Sequence, residues 1–295
     1  MLFLKRAHIL AARQKFSYTK KDNTHKAKAI ISTSGGIKSP NEPINGIIDA
    51  HCHLDFKQFN KDREAVLDNA RRSGIVHMIN SGVDYSTNSK SLELASKYDF
   101  ISATLGLSPN TLPDIKEPEL KMLFEQIENN SKKAIGIGEA GLDYYHTKDA
   151  GTRKRQAEVF KKVIDLAGSL NMPLVIHSRD AEQPALDMVK HLEKVIFHCY
   201  SGSLSTMKEA IDRGFYISIA TNICRSGQHQ ILARNVSLDR LMVETDSPFL
   251  SPRRGRNEPS YVLDSVRLIA RIRGMEPQEL ARITTENTKR IYNII

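Results

Sequence analysis

The sequence predicts an α/β fold, a single (β/α)8 or TIM barrel, on three observations. A short apolar run followed by a longer amphipathic stretch recurs eight times from Gly46 onward. The 250 residues from there to Ile295 match the length of one such barrel, ~250 residues. The apolar runs are Val/Ile-rich without polar alternation, as expected of parallel strands covered on both faces. A doubly wound open sheet uses the same local signals, but count and length favour the barrel.

In chain order the strand runs are Gly46–Ile48, Ile75–Ile79, Ile101–Leu107, Ala134–Ile137, Pro173–Ile176, Lys194–Phe197, Phe215–Ile219 and Leu241–Val243. Between them lie helix candidates at Asp62–Ser73, Thr87–Lys97, Pro118–Ser131, Thr152–Leu170, Ala181–His191 and Ser205–Asp212. In Thr152–Leu170, Val159, Val163, Leu166, Ala167 and Leu170 recur at spacings of three and four, one face of a helix. The seventh helix, around Gln228–Arg234, has the weakest pattern. The reading is one barrel domain over residues 46–295, preceded by a basic extension and linker over residues 1–45.

Composition is that of an ordinary globular chain. The chain is 40% hydrophobic and 26% charged, long enough to bury a sizeable core. No apolar run approaches the ~18 residues of a membrane span. Three cysteines make no disulfide framework. The net charge of +9 hints at nucleic acid, but its location matters. Residues 1–40 hold nine Lys and Arg against the single Asp22, leaving 34 basic and 33 acidic residues in the remainder. The body is therefore close to neutral. The basic segment, with Leu2, Phe3, Leu4, Ile9 and Leu10 on one side of a short helix and Arg6 and Arg13 on another, has the pattern of a mitochondrial targeting peptide. A basic tail on a cytoplasmic protein is the other reading.

The chemistry lies at the strand ends. The first strand continues Asp49-Ala50-His51-Cys52-His53. Residues two apart share a face of a strand, so His51 and His53 point together and Cys52 away. Two adjacent imidazoles offer neutral nitrogen ligands to a metal ion. The fourth run leads into Glu139, the fifth into His177, the sixth into His198 and the eighth into Asp246. Barrel active sites are built at the C-terminal ends of strands, so these six residues converge. Burying so many polar groups unpaired costs several kcal/mol each, and a metal centre compensates. Six ligands suit two divalent ions sharing one carboxylate. The first takes His51, His53, Glu139 and Asp246; the second takes Glu139, His177 and His198. Two such ions stabilise attacking and leaving oxygens of a phosphoryl displacement and acidify a water. Asp246 can hold that water and accept its proton.

Other features are weaker. Gly136-Ile137-Gly138-Glu139-Ala140-Gly141 spells a dinucleotide-type glycine pattern. No helix start follows, and Glu139 would repel a pyrophosphate, so the glycines read as relief for a crowded strand end. Cys52 and Cys199 should point away from their ligand neighbours, and Cys224 falls in a loop. Asp84 and Asp180 fit helix capping as well as function.

These residues resemble a known family. The segments beginning Asp49-Ala-His-Cys-His, Gly138-Glu-Ala-Gly-Leu-Asp-Tyr-Tyr, Ile176-His-Ser-Arg-Asp, Phe197-His-Cys-Tyr-Ser-Gly and Glu244-Thr-Asp-Ser-Pro are similar, in order, to those of TatD metal-dependent deoxyribonucleases. Arg254-Gly-Arg-Asn-Glu-Pro resembles the family's segment after the last strand. The resemblance implies a metallo-dependent hydrolase barrel acting on DNA, often as a 3′–5′ exonuclease, with the same ligand set and Arg179 as a phosphate contact. A departure follows the third strand. Where the family often has Gly-X-His-Pro-His, this chain has Gly106-Leu107-Ser108-Pro109-Asn110. Asn110 can hydrogen-bond a phosphate oxygen but supplies no proton at neutral pH. With a near-neutral body, DNA contacts beyond the metals fall to Arg179, Arg253, Arg254 and Arg256. Imidazole-rich sites favour zinc and manganese over magnesium, while the family is usually described with magnesium or simply a divalent cation. Two other readings stay open: the same centre acting on an ester, amide or aminoacyl bond, since fold does not fix function, and a non-catalytic metal-binding member.

Overall fold

A computed structural model describes residues 43–294; the basic N-terminal segment read as an address or tail lies outside them. Eight parallel strands follow one another round the sheet in chain order: β1 Ile47–Cys52, β2 Ile75–Ser81, β3 Ile101–Leu107, β4 Gly136–Asp143, β5 Leu174–Arg179, β6 Val195–Phe197, β7 Tyr216–Ile219 and β8 Leu241–Val243. The barrel closes between the chain after β8 and the end of β1. Asp246 N donates to His51 O at 2.9 Å and His53 N to Ser247 O at 2.8 Å. The buried Asp49 carboxyl draws the same seam together, accepting from Thr245 N at 2.8 Å and Thr245 Oγ1 at 2.6 Å.

The helices are α1 Arg63–Arg72, α2 Tyr85–Lys97, α3 Glu117–Asn129, α4 Ala150–Ser169, α5 Glu182–Val189, α6 Leu204–Asp212, α7 Gly227–Asn235, α8 Val262–Arg273 and α9 Pro277–Tyr292. The weakly patterned seventh helix is present, and α9 adds a ninth. Asp84 caps α2, its carboxylate accepting from Thr87 N at 2.8 Å. The apolar core has two parts. One lies between strands and helices; the other fills the barrel with Ile48, Ala50, Ile79, Val175, Ile196, Tyr216 and Met242, met by Ile291 and Tyr292 of α9. Ile44 is buried, and Asn45 exchanges two hydrogen bonds with Gln278, at 3.0 and 2.8 Å, so the chain packs on the barrel from there.

Strand alternation sends Val175, His177 and Arg179 to the inside of β5, and Ile196 followed by His198 to the inside of β6. In β1 and β4 simple alternation fails. Ile48 and Ala50 face inward, which would send Cys52 inward too. A register shift between Asp49 and Cys52 changes the phase, so His51 and His53 point in and Cys52 joins the outer core. In β4 a shift between Ile137 and Ala140 does the same for Glu139, leaving Ile137, Ala140 and Leu142 in the outer core. Bulges re-aim side chains in this way next to active sites.

Candidate metal centre

All six predicted ligands meet at the C-terminal mouth of the barrel. His51 Nε2 and His53 Nε2 stand 3.2 Å apart. Glu139 Oε2 is 3.1 Å from the first and 3.6 Å from the second; Asp246 Oδ1 is 3.8 and 3.3 Å from them. On the other side, His177 Nδ1 and His198 Nε2 are also 3.2 Å apart. Glu139 reaches them with Oε1 at 3.8 Å and Oε2 at 3.4 Å respectively. One carboxylate thus stands between two imidazole pairs. The side chains of His51, His53, Glu139 and His198 are nearly closed to solvent, whereas Asp246 and His177 are 14% and 18% exposed, which sets the side from which a substrate approaches.

The outward nitrogens fix the tautomers. His53 Nδ1 lies 2.8 Å from Ser81 O, and a carbonyl only accepts, so Nδ1 carries the proton and Nε2 turns a lone pair inward. His198 Nδ1 faces the buried Glu244 Oε1 at 3.3 Å, and His177 Nε2 faces Asp143 Oδ2 at 3.1 Å. His51 Nδ1 lies 3.1 Å from Ser81 Oγ. Such outer carboxylates and carbonyls are what orient metal-binding imidazoles. Lone pairs therefore face each other across the 3.2 Å His177–His198 gap, and His53 turns its own toward His51 across the other, an arrangement that favours positive charge between them. Four imidazole nitrogens and two carboxylates fit divalent metal ions.

The titration of the centre shows the same demand. Burial alone raises the Glu139 carboxyl, but His198, His51 and His177 override it and hold it well below the usual range. Burial raises Asp246 as well, and the His53 hydrogen bond lowers it on balance. Burial opposes the charged form of His53 and His198, yet Asp246 and Glu139 carry the first, and Glu139 and Glu244 the second, up to about 9. Without a cation the centre recruits protons. His51 is driven down by burial and by its stacked neighbour His198, 4.0 Å away between ring centroids.

The residues expected to meet substrate are less uniform. Arg179 ends β5 one inward step beyond His177, its guanidinium 4.0 Å over the Tyr145 ring, with no ion pair among the described residues. Arg254 is exposed and also unpaired there. Asn110 is engaged: its Nδ2 donates to Asp143 Oδ2 at 3.0 Å, which makes it a support for the carboxylate behind His177. Arg253 and Arg256, expected on DNA, are tied down. Arg253 makes a two-pronged bridge to Asp264 at 3.0 Å, and Arg256 grips Asp62 at 2.8 Å and Glu258 at 2.9 Å. They brace the loop after β8 against α8 and α1. Cys52 is buried away from the ligands, as expected. Cys199, with φ of 44°, is held by burial and by Asp246 and Glu244 well above the usual thiol range.

Sequence reasoning missed Glu244, Asp143 and Ser81. Alternation from Met242 sends Glu244 inward, and Asp143 is even-spaced from Gly141 opposite His177, so a face count could have found both. Glycines on β3 and β4 relieve crowding: a Cβ on Gly141 of β4 would strike the His177 carbonyl, and one on Gly106 of β3 the Glu139 backbone.

The chain matches the sequence profile described as TatD related DNase over residues 48–293. It is 37% identical over 246 residues to an uncharacterised metal-dependent hydrolase of Methanocaldococcus jannaschii, covering 83% of this chain and 96% of that protein. It is 32% identical over 260 residues to the human deoxyribonuclease TATDN3, covering 84% and 94%. Among solved structures, the TatD homologue YJJV of Escherichia coli superposes with a TM-score of 0.78 at 26% identity, covering 84% of this chain and 98% of that one.

Proposed function

The chain belongs to the TatD-related DNase family of metal-dependent hydrolases, and from that premise we propose that it hydrolyses DNA phosphodiester bonds, working from a 3′ end. The observation that carries this is the single carboxylate, Glu139, set between two facing imidazole pairs at the barrel mouth. Its arrangement supports two divalent ions, one held by His51, His53, Glu139 and Asp246, the other by Glu139, His177 and His198. When bound, such ions polarise a phosphoryl oxygen and lower the pKa of an attacking water.

The protein's own groups do the rest. Asp246, ionised and partly open to solvent, accepts the proton of the attacking water. Arg179 offers an uncommitted fork of N–H donors to a phosphate oxygen one strand step above His177. Glu244, Asp143 and the Ser81 carbonyl keep the imidazoles turned inward, so little reorientation is needed at reaction. The 3′ direction is supported by the family resemblance.

End-labelled DNA digested with magnesium, manganese and zinc in parallel tests the reading. A ladder shortening from the 3′ end is expected, with Glu139→Ala and Asp246→Ala each at least ~100-fold slower. Wild-type rates in both folded variants would overturn the site, and turnover of esters or amides with none on DNA would overturn the substrate.

A further inference from the structure

His146 is the exposed imidazole of the mouth, and nothing in the hydrolytic scheme uses it. It follows β4, and 43% of its side chain is open to solvent. Its Nδ1 is pinned 2.8 Å from Asp143 Oδ2, and its backbone N donates to Asp143 Oδ1 at 2.8 Å. The same carboxylate oxygen holds His177 and Asn110. From the inner ligands outward the order is therefore His177, Asp143, His146. His146 stands two groups removed from the centre, and its Nε2 has no partner among the described residues.

Around it lie cations that make no ion pair among the described residues. Tyr145, 46% exposed, meets the His146 ring edge-on at 4.9 Å. Arg179 covers the Tyr145 ring at 4.0 Å, and Lys148 Nζ approaches it at 5.3 Å. A guanidinium laid on an aromatic face keeps its N–H edge free. Among the described residues Lys148 donates to Tyr144 O, at 3.1 Å. Of the surface acids close by in the chain, Asp149 caps α4 through Thr152 N at 2.8 Å, and the exposed Asp180 that follows Arg179 makes no ion pair with these cations among the described residues. Arg179 pairs in register with Asp143, two residues above His177, or ~6.6 Å further out at ~3.3 Å per residue.

We propose that His146, with Arg179 and Lys148 around the Tyr145 ring, forms a subsite for a second phosphate, the one next to the bond that is cut. The assignment rests on the phosphodiester reading above. The pinned imidazole stands behind Asp143 rather than among the metal ligands; its Nε2 meets a phosphate as a donor once the ring takes a second proton, and Arg179 and Lys148 offer N–H donors beside it. The subsite makes the enzyme prefer a substrate carrying a phosphate beside the scissile one over an isolated diester.

The test compares kcat/KM on d(TpT), d(pTpT) and d(TpTp), with bis(p-nitrophenyl) phosphate as a minimal diester. The expected result is a preference of about tenfold or more for one phosphorylated dinucleotide over d(TpT), as charged hydrogen bonds warrant. In His146→Ala the preference falls toward one, mostly through KM. A residue acting only through Asp143 on His177 would slow all substrates together and leave the ratio intact, and that result overturns the proposal. Equal wild-type rates on the three dinucleotides also overturn it. A wild type inert on every diester overturns the phosphodiester reading instead. Equilibrium affinity for a methylphosphonate-linked dinucleotide, with and without a terminal phosphate, then decides the subsite alone. A gain from the phosphate that His146→Ala abolishes supports it, and no gain overturns it.

Discussion

At the scale of single residues, the centre is defined as much by what stands behind the ligands as by the ligands. Glu244 and Asp143 accept from the outer nitrogens of His198 and His177. Replacing either by its amide removes the acceptor charge and lets the ring turn. Glu244→Gln and Asp143→Asn should each weaken metal affinity ~10–100-fold, with activity recovering at high metal concentration; a metal titration of activity checks this. The protonation of the donor set gives a second expectation. His53 and His198 hold their protons up to about 9 because carboxylates surround them. Metal must displace those protons, so affinity rises with pH up to that value. At pH 7.5 binding releases protons. Calorimetry in buffers of different ionisation enthalpy measures the release, and a binding heat independent of buffer would contradict it.

Among the elements, legibility in the sequence followed the regularity of the backbone. His177 and His198 were readable because β5 and the end of β6 alternate without interruption. His51 and His53 were readable as a pair, but the bulge that turns them inward past Ile48 and Ala50 leaves no mark in residue type. The same holds for Glu139. The partners that engage Asn110, Arg253 and Arg256 within the fold, Asp143, Asp264 and Asp62, lie 33, 11 and 194 positions away and could not be read from local sequence. Neither α8 nor α9 was picked out, although α9 closes the bottom of the barrel. The faint α7 owes its place to a buried polar cluster. His229 meets Ser226 Oγ at 2.7 Å, Asn222 Nδ2 at 3.0 Å and Ser201 Oγ at 3.2 Å. Burial pushes its pKa from 6.5 down to about 4. The unfolded chain therefore binds the proton first as pH falls, and folding stability is lost between those two values. The loss approaches ~3 kcal/mol at ~1.4 kcal/mol per pH unit. Thermal melts of the wild type from pH 7 to 4 should show this limb, flattened in His229→Gln.

Over the whole molecule, charge separates the first 40 residues from the barrel. Nine of the 43 basic residues lie in the first 40 positions against one acid, and the rest of the chain is within one charge of neutrality. Within the barrel, Arg253 and Arg256 are neutralised by Asp264, Asp62 and Glu258. Cations near the mouth without an ion pair among the described residues include Arg179 and Lys148, with Arg254 on the loop after β8. A single strand releases ~0.7 counterion per phosphate neutralised. Three contacts then give a slope of log affinity against log salt of about −2. A chain beginning at residue 41 should show that shallow slope in single-stranded DNA binding. The complete chain should show the same slope if residues 1–40 serve as a mitochondrial address, and a fluorescent protein fused behind them should then collect in mitochondria. A steeper slope confined to the complete chain, with diffuse fluorescence, would make the segment a DNA-binding arm. A steep slope in the shortened chain would mean that the barrel holds DNA through charges its paired arginines do not have free, and the account of its mouth would fail.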